Sequence, residues 1–567
     1  MTEAFGITLL LPLIEAADAG DGGIEEGTAT VRVLYAVLGT FGIADSVVGI
    51  LIFIGVVFIG KGLLKFAEGA YNSYLRAALM EEIKGKMFNT YREMDYSYYS
   101  SHNTGHFINI INGQIYNFIR SFETFTRFLS TIIMTLLYLA FAFLLTWNFA
   151  LMALAAGIVL LFLFRYLNRY VQVLSRKSAS ETSTLNKFLV QTLQSFKYLT
   201  STNQMRHLRG GVMGSIRKLA GYMFRQGMAS SFTQSIREPV SVIFLLLVII
   251  IQVAVFDSPI APIFVALVLF HRAMQHTIGI QEDWQKTMEK IGSLEMVVEE
   301  FDKAGRNKEK SGSREIAPLS KGIRLENVHF RYDDKSGDVL KGIDLEIPVN
   351  KTIAFVGESG AGKSTLIDLM TLLLRPYQGK VRIDGIAGDE IELRSWRSQI
   401  GYVSQETVVF DDTIANNITL WKGDYQRDER VRQNVQQAAA AAYANKFIEK
   451  LPDGYQTVVG DRGIRLSGGQ CQRLFIAREL YKKPNLLILD EATSALDTES
   501  ESYIQRSIEA LKGSMTVVII AHRLSTIKNA DYIYLLDEGR VIESGTYESL
   551  TLDGQTQFSK MIEMQSL

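Results

Sequence analysis

Long uncharged, apolar runs fill the first half of the chain. Residues 128–164 contain no Asp, Glu, Lys or Arg, and because a spanning helix needs about 20 residues, this run is long enough for two membrane spans. Polar residues at 146–148 divide the run and include a Trp suited to the membrane interface. Further spans are predicted by the apolar runs at 46–60, 239–256 and 260–280.

The apolar run at 5–14 gives the weakest span signal. No basic residue precedes it, which argues against a secretory signal peptide. The roughly 16 residues that begin at Met1 are marginal in length for a span. We expect six spans, with five as the alternative, because either the first helix is short or the start of the chain is truncated.

Charge placement indicates the orientation of these spans. The loop 17–40 carries four acidic residues against one Arg, whereas segments 61–127 and 165–238 are rich in Lys and Arg. Basic segments stay in the cytoplasm, so both termini are expected there. Unstructured loops of such length are uncommon, and apolar residues recur in them at helical spacing. We predict long helices that leave the bilayer and turn near 96–103 and 195–204.

The second half of the chain reads as a soluble α/β domain. Between the halves, residues 302–321 are charged and poor in apolar side chains, which is typical of a tether. We predict a transmembrane domain at 1–301, a linker at 302–321 and a C-terminal domain at 322–567. The net charge of the 567 residues is −1, which argues against a general nucleic-acid binder. The single cysteine, Cys471, excludes an internal disulfide.

A glycine-rich segment in the second half matches a phosphate-binding loop. Gly357–Ser364 (GESGAGKS) follows the short apolar strand 352–356 and precedes a helical pattern. The backbone N–H groups of such a loop suit phosphate oxygens. Lys363 is expected to reach the β- and γ-phosphates of a nucleotide, and the Ser364 hydroxyl is expected to bind Mg²⁺.

Two further motifs follow this loop. Leu466–Gln470 (LSGGQ) lies about a hundred residues later, and a buried-strand pattern ending in Asp490 and Glu491 comes after it. In this order and spacing, the motifs resemble the nucleotide-binding domain of ATP-binding cassette (ABC) transporters, over about residues 315–567. The resemblance implies ATP and Mg²⁺ as cofactors. The residues expected to bind ATP are Tyr332, Gly357, Glu358, Ser359, Gly360, Ala361, Gly362, Lys363, Ser364, Thr365, Ser467, Gly468, Gly469 and Gln470.

The resemblance also implies catalytic roles. Glu491 is expected to be the general base that polarises the attacking water, and His522 is expected to contact the γ-phosphate. Gln405 corresponds to the residue that links Mg²⁺ and this water to the membrane domain. The implied Mg²⁺ site consists of Ser364, Gln405 and Asp490.

Tyr332 lies 25 residues before Gly357 and resembles the aromatic residue that stacks on adenine; an ordinary core or edge-strand tyrosine is the alternative. Two departures from the family pattern occur in the helix that follows LSGGQ. Cys471 lies where a basic residue is usual, and Glu479 lies where a small residue is usual.

The same resemblance implies a dimer. One chain carries one phosphate loop and one LSGGQ motif, so one chain cannot close a family-type site with itself. The long helices are similar to the exporter-type (type IV) ABC fold, in which the turns are coupling helices. Residues 494–497 resemble the loop through which the two sites communicate, and residues 457–463 resemble an exporter-specific segment. Intact motifs favour an identical partner, and a heterodimer is the alternative.

These patterns together predict an α-helical polytopic membrane domain of about six long helices, followed by an α/β P-loop ABC ATPase domain in the cytoplasm. The spans argue against a non-transporting ABC ATPase, and fusion of the two domains argues against an importer. We expect ATP-driven export or flipping of a lipid or lipid-linked glycan across the cytoplasmic membrane. Export of peptides or hydrophobic drugs is the alternative. The expected partners are a second half-transporter chain, the lipid bilayer and the substrate, without nucleic acid.

One residue carries the substrate hypothesis. Residues 3–13 and 270–274 resemble bacterial flippases for lipid-linked oligosaccharides. Arg272 lies roughly 20 Å deep when the sixth span is counted from its outer end at about 1.5 Å per residue, and an ionisable residue at that depth is a functional candidate. Its paired N–H donors suit a pyrophosphate group. The alternative is an Arg that reaches the cytoplasmic side or pairs with Glu282.

Overall fold

The computed structural model of the protein contains two compact units. It describes residues 39–566 except 41, 43–46, 146, 237, 241, 244–245, 248–249, 251–274, 333–336, 491–497, 522–526 and 553–555. The first unit comprises the residues up to 94 together with 98–308, and the second comprises 95–97 together with 309–567. The predicted boundaries at 301/302 and 321/322 stay predictions.

The first unit is helical. Residues 275–288 are also helical. The bounds of its helices are α1 (Val47–Arg92), α2 (Tyr96–Ser100), α3 (Thr104–Ile108), a π-helical turn (Asn109–Gln114), α4 (Ile115–Leu145), α5 (Trp147–Gln194), α6 (Phe196–Ser201), α7 (Met205–Ser235) and α8 (Ile291–Arg306).

The lengths of these helices match the sequence-based expectation. Helix α1 has 46 residues and α5 has 48, so each is far longer than the roughly 20 residues that cross a bilayer. The short helices α2 and α6 lie where the turns were predicted. Helix α4 ends at Leu145 and α5 begins at Trp147, next to and within the predicted polar interruption at 146–148. Long helices joined by short turns are therefore confirmed.

Among the described residues, the stretch Thr104–Ala140 is long and apolar enough to cross a membrane by length and composition. Helix α1 has many exposed large apolar side chains; for example, Leu63, Leu64 and Phe66 are 63–77% exposed. The predicted first span and residues 251–274 lie outside the described residues. The number of spans, six or five, therefore stays a prediction.

A buried carboxylate joins distant parts of the first unit. Glu300 on α8 accepts hydrogen bonds from the Tyr98 hydroxyl (3.2 Å) and from His106 Nε2 (2.8 Å). Burial opposes ionisation of Glu300, but the contacts with His106, Tyr91 and Tyr98 outweigh it and lower the pKa of the carboxyl. These bonds fix α8 against α3 and the segment that precedes it.

The second unit is an α/β structure with two sheets. Its strands are β1 (Gly322–Phe330), β2 (Leu340–Pro348), β3 (Thr352–Val356), β4 (Gln378–Ile383), β5 (Ile386–Ala387), β6 (Ile400–Val403), β7 (Leu486–Asp490), β8 (Thr516–Ile520), β9 (Tyr532–Asp537) and β10 (Arg540–Gly545). Its helices are α9 (Lys363–Met370), α10 (Leu393–Arg397), α11 (Ile414–Thr419), α12 (Glu429–Ala441), α13 (Asn445–Ile448), α14 (Gly468–Tyr481), α15 (Thr498–Leu511), α16 (Tyr547–Leu552) and α17 (Gln557–Ser566).

The larger sheet has the strand order β10-β9-β3-β8-β7-β6, and the smaller one has the order β2-β1-β4-β5. Strands β9, β3, β8, β7 and β6 are parallel, whereas β10 pairs antiparallel with β9. Strands β3, β7 and β8 are buried along their whole length. Alternate residues of these strands enter two separate apolar cores, one on each face of the sheet.

The segment after α8 is more ordered than its tether-like composition indicates. Ile316 and Leu319 are buried in the core that also contains Trp396. Arg397 forms a two-bond ion pair with Glu309, with N–O distances of 2.9 and 2.6 Å. Two apolar side chains are enough to attach a short segment to an existing core, and the linker at 302–321 stays a prediction.

Candidate nucleotide-binding site

The predicted phosphate loop connects β3 to α9, and it requires glycine at two positions. Gly357 has φ +147°, and a Cβ there would lie 2.1 Å from the carbonyl oxygen of Leu536. Gly362 has φ +97°, and its Cβ would lie 2.6 Å from the Leu340 side chain. Any side chain would therefore push the loop away from β9 and β2, the strands that contain Leu536 and Leu340.

Lys363 is 5% exposed and folds back over this loop. Its ammonium donates to the carbonyl oxygens of Gly357 (2.9 Å) and Glu358 (2.7 Å). Ser359 and Ser364 are exposed at the mouth of the loop and in the first turn of α9. A buried cation beside a helix N-terminus, with a hydroxyl next to it, is an arrangement that suits a phosphate group.

The other predicted residues follow neighbouring parallel strands. In the larger sheet β3, β8, β7 and β6 lie side by side. Phe355 pairs with Ile520, and Ile520 pairs with Asp490, so the carboxyl ends of three strands are in register. The phosphate loop follows β3, and Gln405 follows β6 as an exposed residue. Ligand sites of open parallel sheets form at this edge.

Asp490 is 7% exposed at the end of β7 and accepts a hydrogen bond from the Tyr402 hydroxyl at 3.2 Å. Burial, with a smaller contribution from Asp490, raises the pKa of Asp368 to about 6. A carboxylate and the Ser364 hydroxyl are hard oxygen ligands of the kind that Mg²⁺ prefers. The residues present therefore fit the implied cation.

Tyr332 lies beside the phosphate loop. Its hydroxyl is 3.0 Å from Thr365 Oγ1, and its ring packs edge-on against Phe330, with centroids 5.0 Å apart. The residue is 57% exposed, so a face of the ring remains open for stacking. The contact brings two predicted ATP-binding residues together, and adenine stacking stays a prediction.

The LSGGQ segment begins helix α14. Ser467 is the N-cap: its hydroxyl accepts from the Gln470 N–H, and the Gln470 side chain accepts from the Ser467 N–H, which makes a capping box. Ser467 and Gly468 are exposed, whereas Gly469 is buried. An exposed helix N-terminus can receive a phosphate from a second molecule.

The first departure from the family pattern has a packing explanation. Cys471 is 7% exposed, and its thiol lies against Gly463, where an added Cβ would be 2.8 Å from Sγ. Burial raises the pKa of this thiol. Cys471 is therefore a small buried apolar residue.

Several predicted residues lie outside the described part of the chain. They are Glu491, His522, Arg272 and residues 494–497. Sequence reasoning also missed Tyr402, whose sequence signal is its position three residues before Gln405. Its register with Ile488, two residues before Asp490, is visible only in the structure. The catalytic, ATP-binding and Mg²⁺-binding assignments stay predictions.

Comparison with known proteins identifies the family. Residues 30–251 match the model of the ABC transporter transmembrane region, and residues 340–494 match the ABC transporter model. An ATP-dependent lipid A-core flippase of Cupriavidus pinatubonensis is 32% identical over 516 residues, which cover 86% of this chain and 83% of that protein. The chain belongs to the ABC transporters.

Two other similarities extend this finding. A second lipid A-core flippase, from Chromohalobacter salexigens, is 50% identical over 244 residues, which are 43% of this chain and 41% of that protein. A solved structure of a bacterial Atm1-family ABC exporter with ATP bound has a TM-score of 0.80 and 26% identity. That match covers 100% of this chain and 97% of the exporter.

The predicted fold class is confirmed: a helical ABC exporter membrane domain is fused to an α/β P-loop ATPase domain. The protein is a multi-pass membrane ABC half-transporter whose ATPase domain lies in the cytoplasm, and its ATPase activity is coupled to transport. The ABC ATPase domain binds nucleotide.

Proposed function

We propose that the protein is a homodimeric, ATP-driven flippase that moves a lipid or lipid-linked glycan across the cytoplasmic membrane by alternating access. The observation that carries this proposal is the similarity to lipid A-core flippases along most of both chains. A further flippase of this name, from Haemophilus influenzae, is 30% identical over 89% of this chain. The proposal takes the substrate class from these relatives: an amphipathic lipid with a large polar head.

The surface of α1 supports contact with lipid. Large apolar side chains are exposed along its first half, and a water-soluble surface rarely exposes so many together. They are Val48, Leu51, Ile52, Val56, Phe58, Ile59, Leu63, Leu64 and Phe66.

The exposed LSGGQ motif supports a dimer. Ser467 and Gly468 are open to solvent at the start of α14, and the chain has one such motif and one phosphate loop. Exporter half-transporters are typically dimeric. Because both motifs are intact, two identical chains would form two equivalent ATP sites.

The chain's own residues divide the chemistry of hydrolysis among them. Lys363 binds the β- and γ-phosphates, while Ser364 and Asp490 hold Mg²⁺, which neutralises charge on the phosphates when it is bound. Glu491 accepts the proton of the attacking water. Gln405 is exposed after β6 and would complete the Mg²⁺ site. In the proposed mechanism it links the Mg²⁺ and the attacking water to the membrane domain.

Transport in proteoliposomes tests the proposed substrate class. The purified protein should flip a fluorescent lipid pyrophosphate-glycan in the presence of ATP and Mg²⁺, and the Lys363→Ala variant should not. A hydrophobic drug and a short peptide serve as competing substrates in the same vesicles. ATP-dependent movement of the drug or the peptide without movement of the lipid would replace the flippase proposal by the alternative exporter.

Arg272 is the proposed contact for the pyrophosphate head. Its alternative partner, Glu282, already receives the Lys286 ammonium at 2.6 Å and the Gln234 amide at 3.3 Å. These described partners offset part of the cost of burying the Glu282 carboxylate, and the role of Arg272 toward the substrate is a proposal that the transport assay tests.

We expect Arg272→Met to abolish flipping of the lipid pyrophosphate-glycan and to leave basal ATPase activity unchanged, because the residues of the ATP site lie in the other domain. Arg272→Lys should retain part of the flipping, since it keeps the positive charge but loses the paired donors. Both rates are measured in the same proteoliposomes. Normal flipping by a well-expressed Arg272→Met protein would assign Arg272 to the cytoplasmic interface instead.

A further inference from the structure

Two adjacent residues of α14 contact the chain on both sides of Gln405. Arg478 and Glu479 are each 3% exposed near the C-terminal end of the helix. Glu479 contacts the strand that precedes Gln405, and Arg478 contacts the segment that follows it. The helix that begins with the LSGGQ motif therefore holds both flanks of the predicted Mg²⁺-linked residue.

Before Gln405, the contact is a hydrogen bond to the main chain. Glu479 Oε2 accepts the N–H of Tyr402 at 3.0 Å. Strand β6 is at the edge of its sheet and pairs only with β7 among the described strands. The Tyr402 N–H thus has no neighbouring strand to bond, and a half-buried N–H needs a partner. The Glu479 carboxylate supplies it.

The side chain of the same tyrosine reaches the proposed Mg²⁺ ligand. The Tyr402 hydroxyl donates to Asp490 Oδ2 at 3.2 Å. Tyr402 is consequently bound by α14 through its backbone and by the end of β7 through its phenol. A shift of the β6 backbone would move the hydroxyl that orients the Asp490 carboxylate.

After Gln405, the contact is a set of hydrogen bonds from Arg478. Its guanidinium donates to the carbonyl oxygens of Val408 (2.6 Å) and Asn417 (2.6 Å) and to the Asn417 side-chain oxygen (2.9 Å). Asn417 in turn bonds the N–H and the carbonyl oxygen of Phe410. Gln405 therefore lies in a five-residue segment, 403–407, whose neighbours Tyr402 and Val408 are both hydrogen-bonded to α14.

The packing around Glu479 is tight and its charge is compensated. A Cβ at Gly401 would lie 3.3 Å from the Glu479 Cβ, so the helix end lies directly on β6. Lys482 donates to the same Glu479 oxygen at 2.6 Å, which offsets the cost of burying a carboxylate. A small residue, usual at this position in the family pattern, could provide neither hydrogen bond.

We propose that Glu479 is a positioning residue for ATP hydrolysis. It fixes the backbone of Tyr402, and through the Tyr402 hydroxyl it orients Asp490 toward Mg²⁺. This inference rests on the proposed Mg²⁺ role of Asp490 and is independent of the transported substrate. It also links the helix of the LSGGQ motif to the Mg²⁺ site of the same chain, a connection that a small residue at this position would lack.

Amide hydrogen exchange tests directly whether Glu479 fixes the backbone of Tyr402. In the full-length, nucleotide-free protein, Glu479→Ala should accelerate exchange of the Tyr402 amide at least about tenfold, because the N–H loses its partner. Glu479→Gln keeps an acceptor oxygen and should leave that exchange rate close to wild type. Unchanged exchange in Glu479→Ala, or equal acceleration in Glu479→Gln, would overturn the proposal.

The Mg²⁺ dependence of ATPase activity tests whether Glu479 acts on Asp490 through the Tyr402 hydroxyl. Tyr402→Phe should raise the Mg²⁺ concentration for half-maximal activity about tenfold, within the usual effect of losing a hydrogen bond to a metal ligand. Glu479→Ala should raise it in the same direction, and the double variant should be no worse than Tyr402→Phe alone. Additive effects would mean that Glu479 does not act through Tyr402.

A matched control separates this effect from general loss of a carboxylate. Glu509 on α15 accepts from Asn529 at 2.7 Å, away from β6, and Glu509→Ala should change neither measurement. Should Glu479→Ala fail to fold, Tyr402→Phe and Glu479→Gln still decide the matter. A normal Mg²⁺ requirement in Tyr402→Phe, or an Mg²⁺ requirement raised in Glu479→Gln as much as in Tyr402→Phe, would contradict the proposal.

Discussion

Glu491→Gln should hydrolyse ATP at least about a hundredfold more slowly than the wild-type protein, within the usual size of a general-base effect. The substitution keeps the shape and hydrogen bonding of the side chain but removes its basicity. Glu491 directly follows Asp490, the last residue of β7, in the sequence. Its role as the general base is implied by the family resemblance.

The measurement is steady-state ATPase activity of detergent-purified protein, together with equilibrium binding of ATP. Binding and ATP-dependent dimerisation should persist in Glu491→Gln, since the phosphate loop is unchanged. Glu509→Gln, an isosteric substitution on the exposed face of α15, is the matched control and should hydrolyse ATP normally. A Glu491→Gln protein that turns over at the wild-type rate would refute the assignment of the base.

Local patterns were sufficient to predict the ATPase domain because the phosphate loop and Asp490 come at the carboxyl ends of short, fully buried strands. The five residues Thr352–Val356 and the five residues Leu486–Asp490 are buried throughout, and apolar runs of this length with turn-forming residues at their ends are typical of parallel strands. The glycines of the phosphate loop are equally informative, since Gly357 and Gly362 adopt positive φ against close neighbours.

Contacts between distant segments could not be predicted in this way. Glu479 and Tyr402 are 77 positions apart, and Tyr402 and Asp490 are 88 apart. Strand pairing determines both contacts, and a single sequence does not specify which strand lies at a sheet edge. Glu479 was noticed only as a departure from a family pattern, and its hydrogen bonds explain why a carboxylate is tolerated there.

In the membrane half, the sequence predicted the long helices but not a local irregularity within them. Apolar periodicity predicted the lengths of α1 and α5 and the positions of the short helices α2 and α6. It could not predict the π-helical turn Asn109–Gln114, in which Asn109 is 1% exposed and accepts from Asn186 at 2.9 Å. A buried polar contact with α5 accompanies that turn, and hydropathy does not encode such contacts.

Heterodimers of Lys363→Ala and Ser467→Arg chains should recover ATPase activity that neither homodimer possesses. If each site combines the phosphate loop of one chain with the LSGGQ motif of the other, the heterodimer contains one doubly damaged site and one intact site. About half of the wild-type sites are then competent in a purified heterodimer. The exposed Ser467 leaves room for the bulky substitution, which removes the N-cap hydrogen bond of α14 but no buried packing contact.

The two chains are co-expressed with different affinity tags, and the heterodimer is isolated by two successive purifications. Its activity is compared with that of each tagged homodimer and of a doubly tagged wild-type dimer. A site built within one chain predicts the opposite result, since every chain of the heterodimer then carries a damaged site and no activity returns. Full activity of either single variant as a verified monomer would also exclude the shared site, because the LSGGQ motif of a partner would then be unnecessary.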